Sequence, residues 1–228
     1  IGFEALLIWN HSVLGCLDAA YFITQAEMMG LTIKLDEFVL KAVCEKILYF
    51  KDKGYNNVQI AVNISHKNAF KKEFVDTICD IISSYNLPEG SLQIEMTGNL
   101  EISRFETYKN MFERLKELGV DIIINNFEIN QEALEIFAEL PIDEVKISSS
   151  LLSSEKINEK VFLDLINLSK DLGYKVIVGR VNDDKKLVKA ITDNADKIQG
   201  NFLFKKMDEN LAEEVLANYG TYRLRIDE

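Results

Sequence analysis

The residues with chemical potential in this chain are polar side chains set into otherwise apolar runs: Glu4, Asn63, Glu95, the Asn125-Asn126 pair, Lys146 and Gln199. Carboxylate and amide oxygens of Glu4, Glu95 and Asn63 are hard donors that suit a divalent cation. Two carboxylates are a thin set for a two-metal site. Asn125 and Asn126 add oxygen acceptors without charge, so they neither offset metal charge nor turn over protons as an Asp pair would. Lys146 would bind a phosphate, orient water or neutralise the remaining carboxylates, and the sequence slightly favours the last use.

Hydrolysis also needs a proton acceptor for the attacking water. The run Val176-Ile177-Val178 closes in Gly179-Arg180-Val181-Asn182, with no carboxylate at its end. Asp183 and Asp184 read instead as a helix start, because Asp accepts from orphan amides and suits the positive end of the dipole. Arg180 would pair with a phosphate or enter a salt bridge. His11, in an apparent strand-to-helix loop, and His66 read as structural, since no Cys/His ligand series accompanies them. Ser65 and Ser148-Ser149-Ser150 lack a base and an orienting acid and read as loop or cap residues. Met28-Met29 and Phe70, Phe74, Phe105 and Phe112 read as core. Gly90, Gly98 and Gly200 form no nucleotide-binding fingerprint.

The elements that must position these groups alternate. Short β-rich runs recur at 3–8, 58–62, 92–96, 120–124, 144–147, 175–178 and 197–202. Amphipathic helices are expected near 19–29, 35–52, 70–85, 104–118, 131–139, 156–172, 184–194 and 208–218, several stopping at a glycine. Repeated β-to-α passage predicts a parallel sheet covered by helices, either a (β/α)8 barrel or an open doubly wound sheet. In a barrel the ligand face lies at the strand carboxyl ends, where the polar residues above would gather. Seven strand signals leave a closed barrel one strand short, and the abrupt opening at Ile1-Gly2-Phe3 suggests a missing N-terminal strand. The expected domain spans 1–220, with 221–228 a charged tail or an extra short strand.

Composition narrows the classes. At 228 residues and 47% apolar, the chain has material for one large domain. Its net charge of −11 disfavours a nucleic-acid-coating surface. Cys16, Cys44 and Cys79 lack CxxC or zinc spacing and are expected to be reduced, buried thiols. No apolar run approaches the ~18 residues of a membrane span, so a cytoplasmic domain, or the cytoplasmic portion of a larger signalling protein, is expected.

Phe3-Glu4-Ala5-Leu6-Leu7 followed by Trp9-Asn10-His11 resembles the opening signature of EAL domains, the cyclic-di-GMP phosphodiesterase family. Val62-Asn63-Ile64-Ser65 is similar to the family's Val-Asn-Leu-Ser segment, Ile94-Glu95-Met96-Thr97 to its Glu-Ile-Thr segment, and Val145-Lys146-Ile147 to its lysine-bearing strand. Gln199-Gly200 also fits, and the likeness runs in order from residue 2 to about 218. It implies a modified TIM-like (β/α)8 barrel of EAL type lacking its N-terminal strand. Glu4, Asn63 and Glu95 would be retained metal-facing positions, Lys146 a retained water- or phosphate-facing lysine, and Gln199 a retained polar residue at the pocket floor.

The resemblance also marks departures. The family's Asp-Asp-Phe-Gly loop becomes Asn125-Asn126-Phe127-Glu128, replacing both acids and the glycine. Its Ala-Glu-Gly-Val-Glu becomes Val178-Gly179-Arg180-Val181-Asn182, deleting two glutamates. Ile8 stands where the family places a phosphate-recognising arginine, and Gly98 where it places the second glutamate of Glu-Ile-Thr-Glu. These changes imply a catalytically inactive EAL-like domain acting as a regulatory or protein-interaction module in bacterial cyclic-di-GMP-related signalling. Two alternatives stay open: a non-hydrolytic cyclic-di-GMP receptor using Lys146, Arg180 and Gln199, and a residual metal-dependent phosphodiesterase yielding pGpG. No cofactor is expected, with Mg2+ or Mn2+ bound only if residual ligation survives. The partners implied are a second copy of the chain or a GGDEF, sensor or regulatory protein, with no nucleic acid.

Overall fold

Buried helical faces, more than caps, fix the first half of the chain. In the computed structural model, which describes residues 1–65, 68–97, 100–125, 138–152 and 156–218, helices α1 (Ala19–Met28), α2 (Thr32–Asp52), α3 (Lys72–Tyr85) and α4 (Phe105–Glu117) all start without a side-chain cap. A missing cap costs about 1 kcal/mol, whereas one fully buried Leu, Ile or Phe side chain returns about 2 kcal/mol. Helix α2 buries Leu40, Val43, Cys44, Ile47 and Phe50, and α4 buries Tyr108, Met111, Phe112 and Leu115, in each case at helical three- and four-residue spacing. Burial therefore outweighs the absent caps.

The strands are β1 (Gly2–Ala5), β2 (Ile8–His11), β3 (Gly15–Asp18), β4 (Gln59–Asn63), β5 (Leu92–Thr97), β6 (Asp121–Asn125), β7 (Glu144–Ser148), β8 (Lys175–Gly179) and β9 (Lys197–Ile198). Seven form one sheet in the order β1-β4-β5-β6-β7-β8-β9, with parallel ladders at β1–β4, β4–β5, β6–β7, β7–β8 and β8–β9. The sheet is an incompletely closed, modified (β/α)8 arrangement of EAL type. Its strands are apolar through their middles because a parallel sheet is covered on its faces: Ile60, Ala61 and Val62 in β4, and Val176, Ile177 and Val178 in β8, are all buried.

Contacts divide the chain into a first unit, residues 1–122 with 139–141, and a second, residues 123–138 with 142–228. The first unit's core joins β4 and β5 to α2, α3 and α4. The second contains α5 (Lys156–Asp171), α6 (Asp184–Thr192) and α7 (Glu209–Ala217), with Phe162, Leu165, Ile166, Leu187 and Ala190 buried and α5 in contact with β7 and β8. Caps appear here: Asp183 accepts from the Lys186 amide at 2.9 Å, and Asp208 from the Leu211 amide at 3.0 Å. The expected helix start at Asp183-Asp184 is where α6 begins.

Several expectations need correction. Trp9-Asn10-His11 is not a strand-to-helix loop but strand β2, which pairs antiparallel with β3. His11 Nδ1 accepts from the Val13 and Leu14 amides, each at 3.1 Å, so the imidazole organises the hairpin turn. The two strands are only four residues each, too short to carry an alternating pattern, and the Ser12-Val13-Leu14 turn between them carries two apolar residues where turn residues are usual. The first strand ends at Ala5 rather than residue 8. The last is two residues long rather than six, because the chain turns at Gly200. Met28 and Met29 are 80% and 71% exposed, outside the core, and Cys16 is an exposed thiol while Cys44 and Cys79 are buried. Among the described residues no helix is long and apolar enough to cross a membrane. The expected helix over 131–139 falls largely outside the described residues, and His66 and the expected tail or strand over 221–228 fall wholly outside them.

Candidate functional site

The sequence-predicted residues occupy strand carboxyl ends in both units. In the first, Glu4 stands opposite Ala61 in the β1–β4 register, and Asn63 opposite Glu95 in the β4–β5 register. Side chains two residues apart on a strand share a face, so Asn63 follows Ala61 onto the face of Glu4. Asn63 Nδ2 donates to Glu4 Oε1 at 2.7 Å. Glu95 is 1% exposed and engaged in polar contact. A buried carboxylate persists because it is bonded. Asn63 ends β4 nine residues before α3 begins, so it caps no helix.

Ile8 is 44% exposed and lines an apolar groove with Leu6, Leu7, Phe38 and Val39. A guanidinium at this position would be the charged member of an apolar wall. The first unit also holds a polar network, formed by Thr32, Asp36, Asn68 and Lys71, that the sequence reading missed. Asn68, 2% exposed, donates to Asp36 Oδ2 at 2.7 Å and accepts from Thr32 Oγ1 at 3.3 Å. Lys71 Nζ reaches Asn68 Oδ1 at 3.5 Å. Burial pushes the Asp36 carboxyl up to about 6, against the opposing hydrogen bonds from Asn68 and the Ser65 backbone. These partners come from different elements, so no local spacing announces them.

In the second unit Asn125 stands opposite Lys146 in the β6–β7 register, and Lys146 opposite Ile177 in β7–β8. Lys146 is 8% exposed, on a strand paired on both sides rather than at an exposed sheet edge. Its stem runs along β8: a Cβ placed at Gly179 would lie 3.5 Å from Lys146 Cε and 3.6 Å from its Cγ. A lysine can bury its methylenes this way while carrying the charge toward the strand end.

Beyond Gly179 the chain is clamped. Arg180 has φ +60°, a left-handed conformation that favours glycine. The fully buried Ser149 donates its hydroxyl to the Arg180 carbonyl at 2.6 Å, and the Val181 amide donates to the Gln199 carbonyl at 3.0 Å. Gln199 in turn donates its amide to the Val178 carbonyl at 2.9 Å. Gly200 is required by packing, since a Cβ there would stand 2.0 Å from the Val181 oxygen. Ser149 was expected only as a loop residue, and nothing in its spacing signals this bond. Asn182 is exposed. Asp183 is held below the ordinary carboxylate range, first by the Lys186 amide it caps. Asn126, Glu128 and Gly98 lie outside the described residues.

The EAL domain family matches residues 1–206, and the chain belongs to that family. "Uncharacterized protein Rv1357c" of Mycobacterium tuberculosis is 30% identical over 184 residues, covering 77% of this chain and 60% of that protein. "Cyclic di-GMP phosphodiesterase NbdA" of Pseudomonas aeruginosa is 25% identical over 219 residues, covering 95% of this chain and 28% of that protein. The chain thus spans 60% of the length of the first relative and 28% of the second. Among solved structures, "PaMucR Phosphodiesterase, c-di-GMP complex" superposes with a TM-score of 0.84 at 24% identity, covering 92% of this chain and 86% of that one. The FimX EAL domain of Pseudomonas aeruginosa bound to c-di-GMP gives 0.79 at 19% identity, covering 89% and 82%. At these identities the structures support the fold.

Proposed function

We propose that this is a non-catalytic EAL domain, a regulatory or protein-interaction module in bacterial cyclic-di-GMP-related signalling. The observation that carries the reading is the donor chemistry at the strand carboxyl ends. In the second unit Asn125, Gly179, Arg180 and Asn182 stand where, by family likeness, acids and a glycine are expected. In the first, Glu4 and Glu95 are the carboxylates, and Glu4 is already engaged by the Asn63 amide.

The divalent cations of the family chemistry fit this set poorly. Amides supply no formal charge to offset a pair of dications, and no carboxylate at 179–182 is available to take a proton from water. Among the described residues no group of three or more His, Cys, Asp or Glu side chains is placed to hold a metal. Metal binding, water activation and the glutamate-held loop are affected together, so one restored acid would not rebuild the reaction. The retained scaffold suits a role in binding a second copy, a GGDEF domain, a sensor or another regulatory protein.

The test is product analysis: the chain at high concentration with cyclic-di-GMP and Mg2+ or Mn2+ yields no linear pGpG. Metal-dependent pGpG formation would sink the reading. In the full-length context, a stable partner complex is expected in the absence of turnover.

A further inference from the structure

We propose that the β2–β3 hairpin and helix α1 form a docking surface in the first unit for a basic amphipathic helix of a protein partner. The inference rests on the partner-binding role proposed above and deepens it, by naming the surface and the chemistry of what it binds.

The first support is a set of apolar side chains held in water by ordered backbone. Helix α1 buries Phe22 and Ala26, one turn apart, as its inner face. Tyr21 and Met28, seven positions apart and so on a common face, are exposed, and Met29 follows them into solvent. The hairpin joins this surface through Trp9, half-exposed, whose ring meets Phe22 edge-on at 5.8 Å. Its turn presents Val13, 84% exposed, and Leu14, also exposed, at positions where polar residues are usual. Apolar groups gathered in solvent mark interaction surfaces.

The turn that carries them is fixed. His11 Nδ1 accepts from the Val13 and Leu14 amides, each at 3.1 Å, the His11 ring stands edge-on to Trp9 at 5.0 Å, and Gly15 closes the turn at φ +76°. Order established before binding lowers what association costs. Trp, Tyr and Met are enriched at protein interfaces, and the flexible thioether of methionine adapts to different apolar faces.

The second support, charge, chooses the occupant. Residues 1–33 carry Glu4, Asp18 and Glu27 and no lysine or arginine, within a chain of net charge −11. The first cation in sequence is Lys34, in α2. A two-fold interface uses the same patch on both chains, so a second copy would set this base-free face against itself and bring a second charge of −11. A helix with an apolar stripe on one side and Lys or Arg on the other fits both features: the stripe takes up the exposed apolar groups and the cations meet the acidic field.

The experiment uses Trp9, the chain's one tryptophan, as a reporter built into the surface. The protein is titrated with a synthetic Leu/Lys amphipathic peptide of about eighteen residues, its Leu/Glu counterpart, and a Leu/Lys scramble whose leucines share no face. The Leu/Lys peptide should shift Trp9 emission saturably to shorter wavelength and weaken several-fold between about 0.05 and 0.5 M salt, and the other two should bind roughly tenfold more weakly or worse. Tyr21→Gln with Met28→Gln removes only exposed groups and keeps good helix formers, so affinity should fall roughly tenfold or more with an unchanged far-UV spectrum. Val13→Ser with Leu14→Ser should weaken binding in the same direction, whereas Val188→Gln with Ile191→Gln, at exposed positions of α6, should not. No binding of the Leu/Lys peptide, equal binding of the Leu/Glu peptide, saturation without a Trp9 response, or affinity unchanged in the α1 and hairpin variants overturns the proposal. So does a dimer in sedimentation that Tyr21→Gln with Met28→Gln dissolves, which would make a second copy the occupant. Formation of pGpG in Mn2+ would overturn the non-catalytic reading and leave peptide binding untouched, so the two failures are separable.

Discussion

Asn63 donates its amide to Glu4 at 2.7 Å, turning two residues that the family likeness assigns to a cation into a hydrogen-bonded pair of their own. Replacing Asn63 by Asp removes the donor and places a second carboxylate against the first. Like charges at this range raise each other's proton affinity in the folded state, so the folded pKa values rise above the unfolded ones. Stability is then lost as pH rises through those values and is regained below the unfolded ones. Asn63→Asp should be destabilised by about 1 kcal/mol at neutral pH, with the gap to the native chain closing toward pH 4, as read from denaturant midpoints. A gap independent of pH would show that the pair does not interact.

Gly200 supports a second expectation. A Cβ at that position would lie 2.0 Å from the Val181 oxygen and 2.4 Å from its nitrogen, and both are backbone atoms that cannot rotate away. Gly200→Ala must therefore displace the 180–181 segment and break the Val181–Gln199 bond. A loss of about 4 kcal/mol or more, seen as a collapse of soluble yield or a large fall in melting temperature, is expected. By contrast Gly179→Ala adds a Cβ at ordinary contact distance from the Lys146 stem and should shift stability little. Equal effects at the two positions would refute this contrast.

How much of this was legible in the sequence depends on the range of the interaction. The seven strands of the large sheet show themselves as apolar runs, because burial on both faces leaves a one-dimensional signature, and helix ends near Gly54, Gly119 and Gly173 follow from the left-handed φ these residues adopt. The β2–β3 hairpin does not show itself: Ile8, Trp9 and Asn10 are all exposed, so no buried face imposes alternation. At the site, Glu4, Asn63, Glu95, Asn125 and Lys146 are marked by being polar at the ends of apolar runs. Their partners are not. Ser149 reaches Arg180 across thirty-one positions, and Asn68 reaches Asp36 across thirty-two, distances at which residue type carries no local signal.

The three thiols should separate by reactivity. The thiolate is the nucleophile, and burial, the main cause, pushes the Cys44 thiol up to about 12. Cys79 is raised in the same direction, also mainly by burial. Cys16 lies exposed on β3. Native protein at pH 8 should consume one equivalent of an alkylating reagent quickly, with the modification mapping to Cys16, and the other two thiols should react only on unfolding. Rapid native labelling of Cys44 would contradict its burial.

Asp36 supplies a stability term that runs opposite to the usual behaviour of acids. Burial pushes its folded carboxyl up to about 6 from an ordinary 3.8, so the folded chain holds this proton more tightly than the unfolded chain. The contribution is fully present below the unfolded value and is lost as pH rises through about 6. A rise of this size is worth on the order of 2 kcal/mol once partial solvent screening is allowed for. Asn68 decides how the ionised form survives at neutral pH, since its amide donates to Asp36 at 2.7 Å. Asp36→Asn should accordingly flatten the pH dependence between 4 and 7 relative to the native chain, whereas Asn68→Ala should steepen it by removing the bond that favours the charged form. Denaturant midpoints across this range, with the native chain as reference for all other titrating groups, read the difference. Parallel curves for the native chain and Asp36→Asn would place the titration elsewhere.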